Sequence, residues 1–444
     1  MKNAQIKSPG GLSENSGSIL IRGARIVDPA NRLNFEGDLW VDDGKIRAIE
    51  KPGAIPKLPG MWVIEGKGFI AMPGLIDLHV HLREPGLEYK ESIETGTRAA
   101  AAGGFSSIAC MANTNPVNDT PYVTAYIREK AKAVAACKVH IVGAVTKGLK
   151  GEELAEIGGM VREGAVAISD DGMPVMNSYL MRKAMDYAKA FGIPVISHAE
   201  DANLVGKGVM NESALSNELG LRGIPAAAEE IMIAREVALT RLTRCPVHIQ
   251  HISTAIGLEH IRRAKQDGLP ITAEASPHHL TLTEECMRAY DTSYKMSPPL
   301  RTEKDVEALI DGVKTGLIDA IATDHAPHSL IDKAVEFSEA SNGIIGLQTA
   351  VPVTFELVNK GIVSLDRWVE SFTVAPAKLL NLALGTLRIG APADLTLLDP
   401  KREWSFTPEM NHSKSANSPF FGGKLRGKVL LTLVNGVAKF SEVE

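Results

Sequence analysis

Residues 69–83 read FIAMPGLIDLHVHLR, an apolar run that ends in two histidines and an arginine. Side chains alternate between the two faces of a strand, so His79, His81 and Arg83 are predicted to lie on one face. Two neighbouring imidazoles can hold one metal ion, and a guanidinium beside them can hold a carboxylate. The stretch therefore predicts a strand whose end carries a metal site next to an anion site.

Four further apolar runs also end in polar residues that can bind a metal ion. Residues 166–172 read VAISDDG, 194–201 read PVISHAED, 247–253 read VHIQHIS, and 318–328 read IDAIATDHAPH. In a closed parallel barrel, the carboxyl ends of all strands open onto one face, and that face is the catalytic one. The five strand ends are therefore expected to meet at a single mouth.

Strand-like and helix-like runs alternate from about residue 70 to residue 380, and together they suggest one architecture. The predicted strands are 74–81, 105–112, 139–146, 166–170, 194–199, 247–252, 271–276 and 319–325. Clear helical periodicity occurs at 123–136, 178–191, 226–243, 257–266 and 303–315. Eight strands with intervening helices predict an α/β fold, a (β/α)8 TIM barrel, over residues 73–384.

The two ends of the chain have a different pattern, with short strand-like runs separated by turns. Residues 18–72 contain turns such as Asp42-Asp43-Gly44, and residues 385–444 contain a strand-like run before Asn435-Gly436. Each end is too short to build a sound core alone. Together they are predicted to form one small composite β-sandwich domain, preceded by a flexible tail at residues 1–17.

The composition is that of an ordinary globular protein, with 44% hydrophobic and 23% charged residues among 444. The net charge of −5 and the lack of a Lys/Arg stripe argue against a nucleic-acid partner. No signal-peptide core precedes residue 18, and no run of about 18 apolar residues predicts a membrane span. Four widely spaced cysteines without a CxxC pair suggest neither disulfides nor a thiolate metal site, so we expect a cytoplasmic protein.

Six motifs in combination resemble the amidohydrolase superfamily and, within it, the class I dihydroorotases of pyrimidine biosynthesis. They are PGLIDLHVHLREPG at 73–86, CMANTNP at 110–116, SDDG at 169–172, SHAED at 197–201, HIQHIST at 248–254 and ATDHAPH at 322–328. The resemblance extends from about residue 18 to residue 440. It implies a hydrolase of cyclic amides that interconverts N-carbamoyl-L-aspartate and (S)-dihydroorotate.

The resemblance also implies a metal site with one or two zinc ions. Its ligands would be His79, His81, Asp171, His198, His251 and Asp324. Many relatives carry a carboxylated lysine on the third of these strands, whereas some dihydroorotases have an aspartate, and Asp171 is the matching position. The alternative for Asp171 is a plain Asp-Asp-Gly turn. Asp324 is further predicted to take the proton from the attacking water and return it to the leaving nitrogen.

The substrate-binding residues are expected to be Arg83, Asn113, Ser297, His328, Asn342 and Gly343. By resemblance, Arg83 and Asn113 bind the carboxylate of dihydroorotate, and Ser297 stands where relatives usually have asparagine. The connection 328–343 is far longer than a usual loop between strand and helix, so it is predicted to be a mobile, solvated lid. In it, Asn342-Gly343 is predicted to be a hinge that brings backbone amides to the ligand.

Several points stay open on the sequence alone. His248 is predicted to face the helices, because its strand parity is opposite to that of His251, and His278-His279 could line the mouth or pack in the core. The alternative enzymes are a hydantoinase, a dihydropyrimidinase or an allantoinase. A catalytically inactive scaffold for aspartate transcarbamoylase is the non-enzymatic alternative. Homo-oligomerisation and a complex with aspartate transcarbamoylase are not decided by the sequence.

Overall fold

A computed structural model describes residues 17–443 of the chain, so most of the predicted tail at 1–17 lies outside the described residues. The strands from the amino-terminal part are β1 (Ile19–Asp28), β2 (Leu33–Asp42), β3 (Lys45–Glu50), β4 (Trp62–Glu65) and β5 (Ile70–Pro73). Those of the central part are β6 (Leu75–Val80), β7 (Phe105–Cys110), β8 (Lys138–Ala144), β9 (Ala165–Ser169), β10 (Val195–Ser197), β11 (Met210–Asn211), β12 (Gly223–Ile224), β13 (Val247–Ile249), β14 (Ile271–Ala275) and β15 (Ala320–Ile321). The last three are β16 (Leu395–Ser405), β17 (Lys424–Val434) and β18 (Val437–Ser441).

Most helices lie between consecutive barrel strands. They are α1 (Ile93–Ala102), α2 (Pro121–Val134), α3 (Ile157–Arg162), α4 (Ser178–Ala190), α5 (Ala202–Val205), α6 (Ala214–Leu219), α7 (Ala227–Thr243), α8 (Ala255–Gln266), α9 (Glu303–Thr315), α10 (Leu330–Lys333), α11 (Ala350–Asn359), α12 (Leu365–Phe372) and α13 (Val374–Leu379). Local signals explain their limits: α9 begins where the Thr302 hydroxyl accepts the N–H of Asp305, and it ends at Gly316 with φ of 77°. Among residues 17–443, no helix is both long and apolar enough to cross a membrane.

Eight parallel strands form the barrel in the order β6-β7-β8-β9-β10-β13-β14-β15. A parallel bridge between Val80 and His325 closes it, and there the N–H of His81 donates to the carbonyl of His325 at 2.9 Å. Apolar side chains from six strands fill the interior below the mouth: Leu78, Ala109, Val142, Ala167, Ile196 and Ala320. The predicted TIM barrel is confirmed, with all eight strands in their predicted places.

The predicted strands extend beyond the observed ones at their carboxyl ends. The largest difference is at 319–325, where β15 covers only Ala320–Ile321. The residues that follow leave the extended conformation, since Asp324 has a φ of 46° and His251, after β13, has a φ of 29°. The polar strand ends are therefore loop positions that the barrel holds at its mouth.

The two chain ends share a second sheet, with the order β18-β17-β16-β5-β1-β2-β3 and with β4 also paired to β1. The joint between them is the antiparallel pair β5–β16, in which Ala71 is opposite Leu397. One apolar cluster contains side chains of both ends, among them Ile21, Ile26 and Leu431. The composite β-domain of the predicted fold class is confirmed, while the boundaries 18–72, 73–384 and 385–444 stay a prediction.

Gly86 lies in the loop after β6 and allows a stability test of its close contact with the loop after β7. Its φ is +91°, and an added Cβ would lie 1.7 Å from the carbonyl oxygen of Asn115. Gly164 is a matched control, because its φ is +103° and no atom lies within 4 Å of the position that a Cβ would take there. Since both substitutions carry backbone strain but only one carries a clash, Gly86→Ala should destabilise the protein by about 1–3 kcal/mol more than Gly164→Ala. Thermal unfolding of both variants measures the difference, and equal Tm values would contradict the close contact.

Candidate active site

A cavity of about 310 Å³ opens at the carboxyl ends of the barrel strands. It is lined by His81, Arg83, Asn113, Asp171, Gly172, His198, His251, Met296, Ser297, Asp324, Ala326, His328, Ser341 and Asn342. Of the predicted site residues, only His79 and Gly343 are not part of this lining. His79 is fully buried and contacts the others from within the barrel. The structure thus brings the predicted residues to one mouth.

Two histidines and two carboxylates form the first group at the base of this cavity. Nε2 of His79 lies 3.2 Å from Oδ1 of Asp171 and 3.3 Å from Oδ1 of Asp324. Nε2 of His81 lies 3.4 Å from Oδ2 of Asp171 and 3.1 Å from Oδ1 of Asp324. All four side chains are buried. Their ligand atoms therefore converge on a small volume that solvent barely reaches.

A second group shares Asp171 with the first. Nδ1 of His198 lies 3.7 Å and Nε2 of His251 lies 3.9 Å from Oδ1 of Asp171. The two imidazoles face each other, with 3.0 Å between these nitrogens. Asp171 stands between the two histidine pairs, which is where a carboxylate that serves two ions would have to lie.

Three overlapping triplets in these groups have the composition and spacing of metal sites. They are His79–His81–Asp171, His79–His251–Asp324 and Asp171–His198–His251, each with ligand atoms within 4.8 Å of one another. The donors are imidazole nitrogens and carboxylate oxygens, the ligands that divalent transition metals bind in proteins. The residues present therefore fit one or two divalent metal ions.

Burial and charge act in opposite directions on the ionisation of the cluster. Burial lowers the pKa of His79, but Asp324 and Asp171 together raise it more, so the pKa lies well above its ordinary value. Burial raises the pKa of both carboxyl groups, yet the neighbouring imidazoles hold each pKa below its ordinary value. The carboxylates are therefore ionised, and a divalent cation can take the place of the imidazole protons.

The Nδ1 atoms of His79 and His81 bond to residues that are not proposed metal ligands. Nδ1 of His79 lies 3.0 Å from Oε1 of Glu274, and Nδ1 of His81 donates to Oδ1 of Asn113 at 2.8 Å. Such partners fix the tautomer and leave Nε2 directed at the metal position. Glu274 was missed by the sequence reasoning, although a lone carboxylate inside the apolar run ITAEA of β14 was a usable signal.

His248 does not face the helices, so that prediction was wrong. Its Nε2 lies 2.9 Å from Oε2 of Glu274, and its Nδ1 lies 2.9 Å from the hydroxyl of Thr272. Alternation along β13 directs His248 into the barrel, beside its neighbour Ile196 on β10. His251 reaches the cavity because it lies after the strand, where its positive φ ends the alternation.

His79, His81 and Arg83 reach the site together, as the alternation predicted, while Val80 and Leu82 between them pack in the main apolar core. The pairing of β6 with β7 shifts between Asp77 and Val80, where Leu78 and the next residue, His79, both contact the barrel interior. The strand then ends at Val80, and Arg83 has a φ of 61°. The predicted common side of His79, His81 and Arg83 is therefore found, although the strand itself ends before His81.

Asn113 and Ser297 are both engaged with the metal-binding cluster. Besides accepting from His81, Asn113 donates through Nδ2 to Oδ2 of Asp171 at 3.3 Å. The hydroxyl of Ser297 donates to Oε2 of Glu200 at 2.7 Å, and the same oxygen lies 3.1 Å from Nε2 of His198. Burial raises the pKa of Glu200, but His198 lowers it more, to about 2. The ionised Glu200 thus orients His198, and Ser297 holds Glu200.

The predicted lid, residues 328–343, is more ordered than its sequence suggested. It contains α10 at Leu330–Lys333, and the buried ammonium of Lys333 donates to the carbonyls of Ser341 at 2.8 Å and Gly343 at 3.1 Å. Much of the loop, including Glu336 and Glu339, is exposed as predicted, whereas Lys333, Phe337, Ala340 and Gly343 are buried. The lid role stays a prediction. The burial of Lys333 was not predicted, because a lysine in a polar sequence gives no sign that backbone carbonyls will surround it.

A residue of the composite β-domain also reaches this loop. Nδ2 of Asn417, between β16 and β17, donates to the carbonyls of Ala326 at 2.9 Å and Gly343 at 3.0 Å. Its Oδ1 accepts the N–H of His328 at 3.0 Å. Sequence reasoning missed Asn417, and no local pattern marks it, because its partners are some 75–90 residues away in the chain.

Solved structures with the same architecture identify the class. The L-hydantoinase (dihydropyrimidinase) from Arthrobacter aurescens superposes with a TM-score of 0.85 at 26% identity, covering 96% of both chains. A dihydropyrimidinase from Brevibacillus agri has the same fold, with a TM-score of 0.82 at 24% identity over 96% of both chains. The barrel, the composite β-domain and the His/Asp cluster define an enzyme of the amidohydrolase type.

Sequence comparisons narrow the class to one family. A family model described as "Dihydro-orotase-like" matches residues 68–256. A Geotalea daltonii protein named Dihydroorotase is 51% identical over 419 residues, which are 94% of this chain and 98% of that one. Its namesake from Syntrophus aciditrophicus is 48% identical over 425 residues, 96% of this chain and 99% of that one. The chain belongs to the dihydroorotase family.

Glu274 allows a test of how the cluster is held. Replacing it with glutamine removes the charged partner of His79, so Glu274→Gln is expected to weaken metal binding and activity by about 10–100-fold. Elemental analysis after dialysis against a metal buffer measures the loss. Glu403→Gln, on an exposed position of β16, is the control and should retain its metal. Full metal retention by Glu274→Gln would show that the carboxylate does not support the ligand.

Proposed function

We propose that the chain interconverts (S)-dihydroorotate and N-carbamoyl-L-aspartate, the cyclisation step of pyrimidine biosynthesis. The observation that carries the proposal is a buried guanidinium next to the His/Asp cluster. Arg83 is 9% exposed and lines the cavity. The carboxylates of Asp171, Asp324, Asp332 and Glu91 raise its pKa by their charge, but within residues 17–443 none of them forms an ion pair with it. A substrate carboxylate would supply the missing anion. Relatives named Dihydroorotase over nearly the whole chain support the same substrate.

The ligand set proposed for the metal is His79, His81, Asp171, His198, His251 and Asp324. Because it contains imidazole and carboxylate without thiolate, we assign zinc, in one or two ions. When bound, the metal supplies a Lewis acid for the ring carbonyl and lowers the pKa of a water molecule. Asp171 would hold both positions in the two-ion case.

Asp324 is proposed as the group that moves the proton. Its carboxylate lies between the imidazoles of His79 and His81 and also lines the cavity, so it contacts both the cluster and the substrate space. The neighbouring imidazoles keep it ionised, as a proton acceptor requires. In ring opening, Asp324 accepts the proton of the attacking water and donates it to the leaving ring nitrogen. Ring closure uses the same steps in reverse.

The remaining cavity residues are proposed to hold the substrate. Arg83 and His328 bind the carboxylate, with the free amide N–H of Asn113 as a further donor. Ser297 and Asn342 line the same cavity and are proposed to contact the ring. Gly343 is not part of this lining, and its N–H donates to the carbonyl of Lys295 at 2.9 Å rather than to the cavity. A Cβ there would lie 2.5 Å from the carbonyl oxygen of Ala326, so the glycine shapes the loop and is not proposed as a donor to the substrate.

Two alternatives are weaker on specific observations. An uncharged hydantoin or dihydropyrimidine would leave the guanidinium of Arg83 buried without an anion. A catalytically inactive scaffold would have no use for a complete cluster of buried ionised groups, which costs stability to maintain. A homo-oligomer, a complex with aspartate transcarbamoylase and a cytoplasmic location stay predictions.

Arg83→Met tests the substrate assignment. The metal-loaded variant is expected to lose roughly 2–5 kcal/mol of transition-state stabilisation with dihydroorotate, because a desolvated charge pair is broken. With hydantoin, which has no carboxylate, kcat/KM should change much less. Arg128→Met, at a partly exposed site on α2 away from the cavity lining, is the control. Equal losses on both substrates would mean that Arg83 does not recognise the carboxylate, and no turnover of dihydroorotate by the unmodified enzyme would reject the proposed function.

Asp324→Asn tests the proton step separately from binding. The amide cannot accept a proton, so kcat for dihydroorotate should fall by about 10²–10⁴-fold. KM should change much less, because Arg83 and His328 remain in place. Metal content measured on the same sample separates loss of the proton acceptor from loss of a ligand. A kcat within tenfold of the unmodified enzyme would assign the proton transfer to another group.

A further inference from the structure

Lys90 contacts the substrate-binding wall from outside the cavity lining. Its Nζ lies 3.3 Å from Nδ1 of His328, while Nε2 of the same ring lies 3.5 Å from a guanidinium nitrogen of Arg83. His328 lines the cavity with Arg83, whereas Lys90 does not. One imidazole therefore separates two cationic groups, one on each ring nitrogen.

The imidazole between them is neutral. Burial lowers the pKa of His328 most, and Arg83, Lys90 and Lys333 lower it further, to about 3, against a small opposite effect of Asp332. A neutral imidazole has one N–H and one acceptor nitrogen. The ammonium of Lys90 and the guanidinium of Arg83 can only donate, so only one of them can be satisfied by the ring.

The distances favour Lys90 as that donor. Its nitrogen is the closer of the two, and the carboxylate of Asp332 lies 4.0 Å from Nδ1 of the ring. Asp332 lies nearer to Nζ of Lys90, at 3.4 Å, and so pairs with the ammonium rather than with the imidazole. Nδ1 of His328 then accepts, and Nε2 carries the hydrogen.

The consequence is a pair of donors directed at the same space. Nε2–H of His328 and the Nη groups of Arg83 cannot bond to each other. Nε of Arg83 donates to the carbonyl of Pro327 at 3.3 Å, so the donors left for an acceptor in the cavity are the Nη groups and Nε2–H of His328. We propose that Lys90 is a positioning residue that fixes His328 in the Nε2–H tautomer, which makes His328 and Arg83 a two-donor site for the substrate carboxylate. This inference rests on the proposed function, because it takes the substrate to be a carboxylated ring.

The backbones that carry these groups are held by one short segment of the composite β-domain. The hydroxyl of Ser415 donates to the carbonyl of Lys90 at 2.6 Å, and Asn417 accepts the N–H of His328 at 3.0 Å. Ser413 bonds to the buried carboxylate of Glu91, next to Lys90 in the chain. The spacing between Lys90 and His328 is thus set by several bonds outside the pair itself.

The tautomer can be measured directly. In metal-loaded, ligand-free enzyme labelled with ¹⁵N-histidine, the ring nitrogens of His328 are assigned by their loss in His328→Gln. We expect a protonated Nε2 and an unprotonated Nδ1 in the unmodified enzyme. In Lys90→Met the tautomer population of His328 should shift to a mixture or to the Nδ1–H form. Lys90→Arg should restore the Nε2–H form. The inference would be overturned if His328 carried its hydrogen on Nδ1 in the unmodified enzyme, or if its tautomer were the same in Lys90→Met.

Kinetics provide the second readout. Lys90→Met should raise KM for dihydroorotate about tenfold, the effect of losing one hydrogen bond to a charged group, with kcat within about twofold. The KM for hydantoin should stay nearly constant, and Lys130→Met, a partly exposed lysine near Glu84, should behave as the unmodified enzyme. A fall in kcat with unchanged KM would also reject the role assigned to Lys90.

The two proposals can fail independently. If the unmodified enzyme does not hydrolyse dihydroorotate, the proposed function fails, and the ¹⁵N spectrum still reports the tautomer of His328. If it hydrolyses dihydroorotate but His328 carries its hydrogen on Nδ1, only the role of Lys90 is rejected. If Lys90→Met does not fold, the spectrum of the unmodified enzyme and the Lys90→Arg variant decide the question.

Discussion

The pairing of buried imidazoles with Asp171 and Asp324 is the interaction on which the rest of the structure depends. Ionised carboxylates at this depth are costly unless opposite charge lies beside them. His79, whose pKa these carboxylates raise, provides it at 3.2–3.3 Å. His81 lies at 3.1–3.4 Å from the same carboxylates, although burial and Arg83 lower its own pKa. His198 and His251 approach Asp171 at 3.7 and 3.9 Å. A divalent cation would strengthen the same arrangement. The cluster therefore requires strand ends from around the barrel to meet with a spacing that only a closed barrel provides.

The seam at which the barrel closes is built from the same residues. One oxygen of Asp77 accepts the N–H groups of His79 at 3.0 Å and Thr323 at 3.1 Å, which joins the first strand to the chain after the last. Burial raises the pKa of Asp77 to about 7, against the lowering effect of these bonds. Barrel closure and the placement of Asp324 thus depend on one carboxylate. This links the stability of the fold to the geometry of the site.

The composite β-domain contributes to the mouth of the barrel as well as to the core. Its connection between β16 and β17 bonds to the segment of Lys90 and, through Asn417, to the loop of His328 and Gly343. The segments that carry Lys90 and His328 are therefore held by a part of the chain that lies outside the barrel. The tertiary arrangement makes one binding wall from three distant segments.

The sequence by itself determined the strand–helix alternation, the eight barrel strands and the polar residues at their ends, because periodicity and turn chemistry are local properties. It also marked the residues that now line one cavity, since a closed barrel brings all strand ends to one face. Their orientations were decided by the tertiary structure. The bulge in β6, the positive φ of His251 and Asp324, and the inward position of His248 depend on packing between strands. The partners Glu274, Lys90 and Asn417 lie far along the chain from the groups they hold, and only folding brings such groups within hydrogen-bond distance.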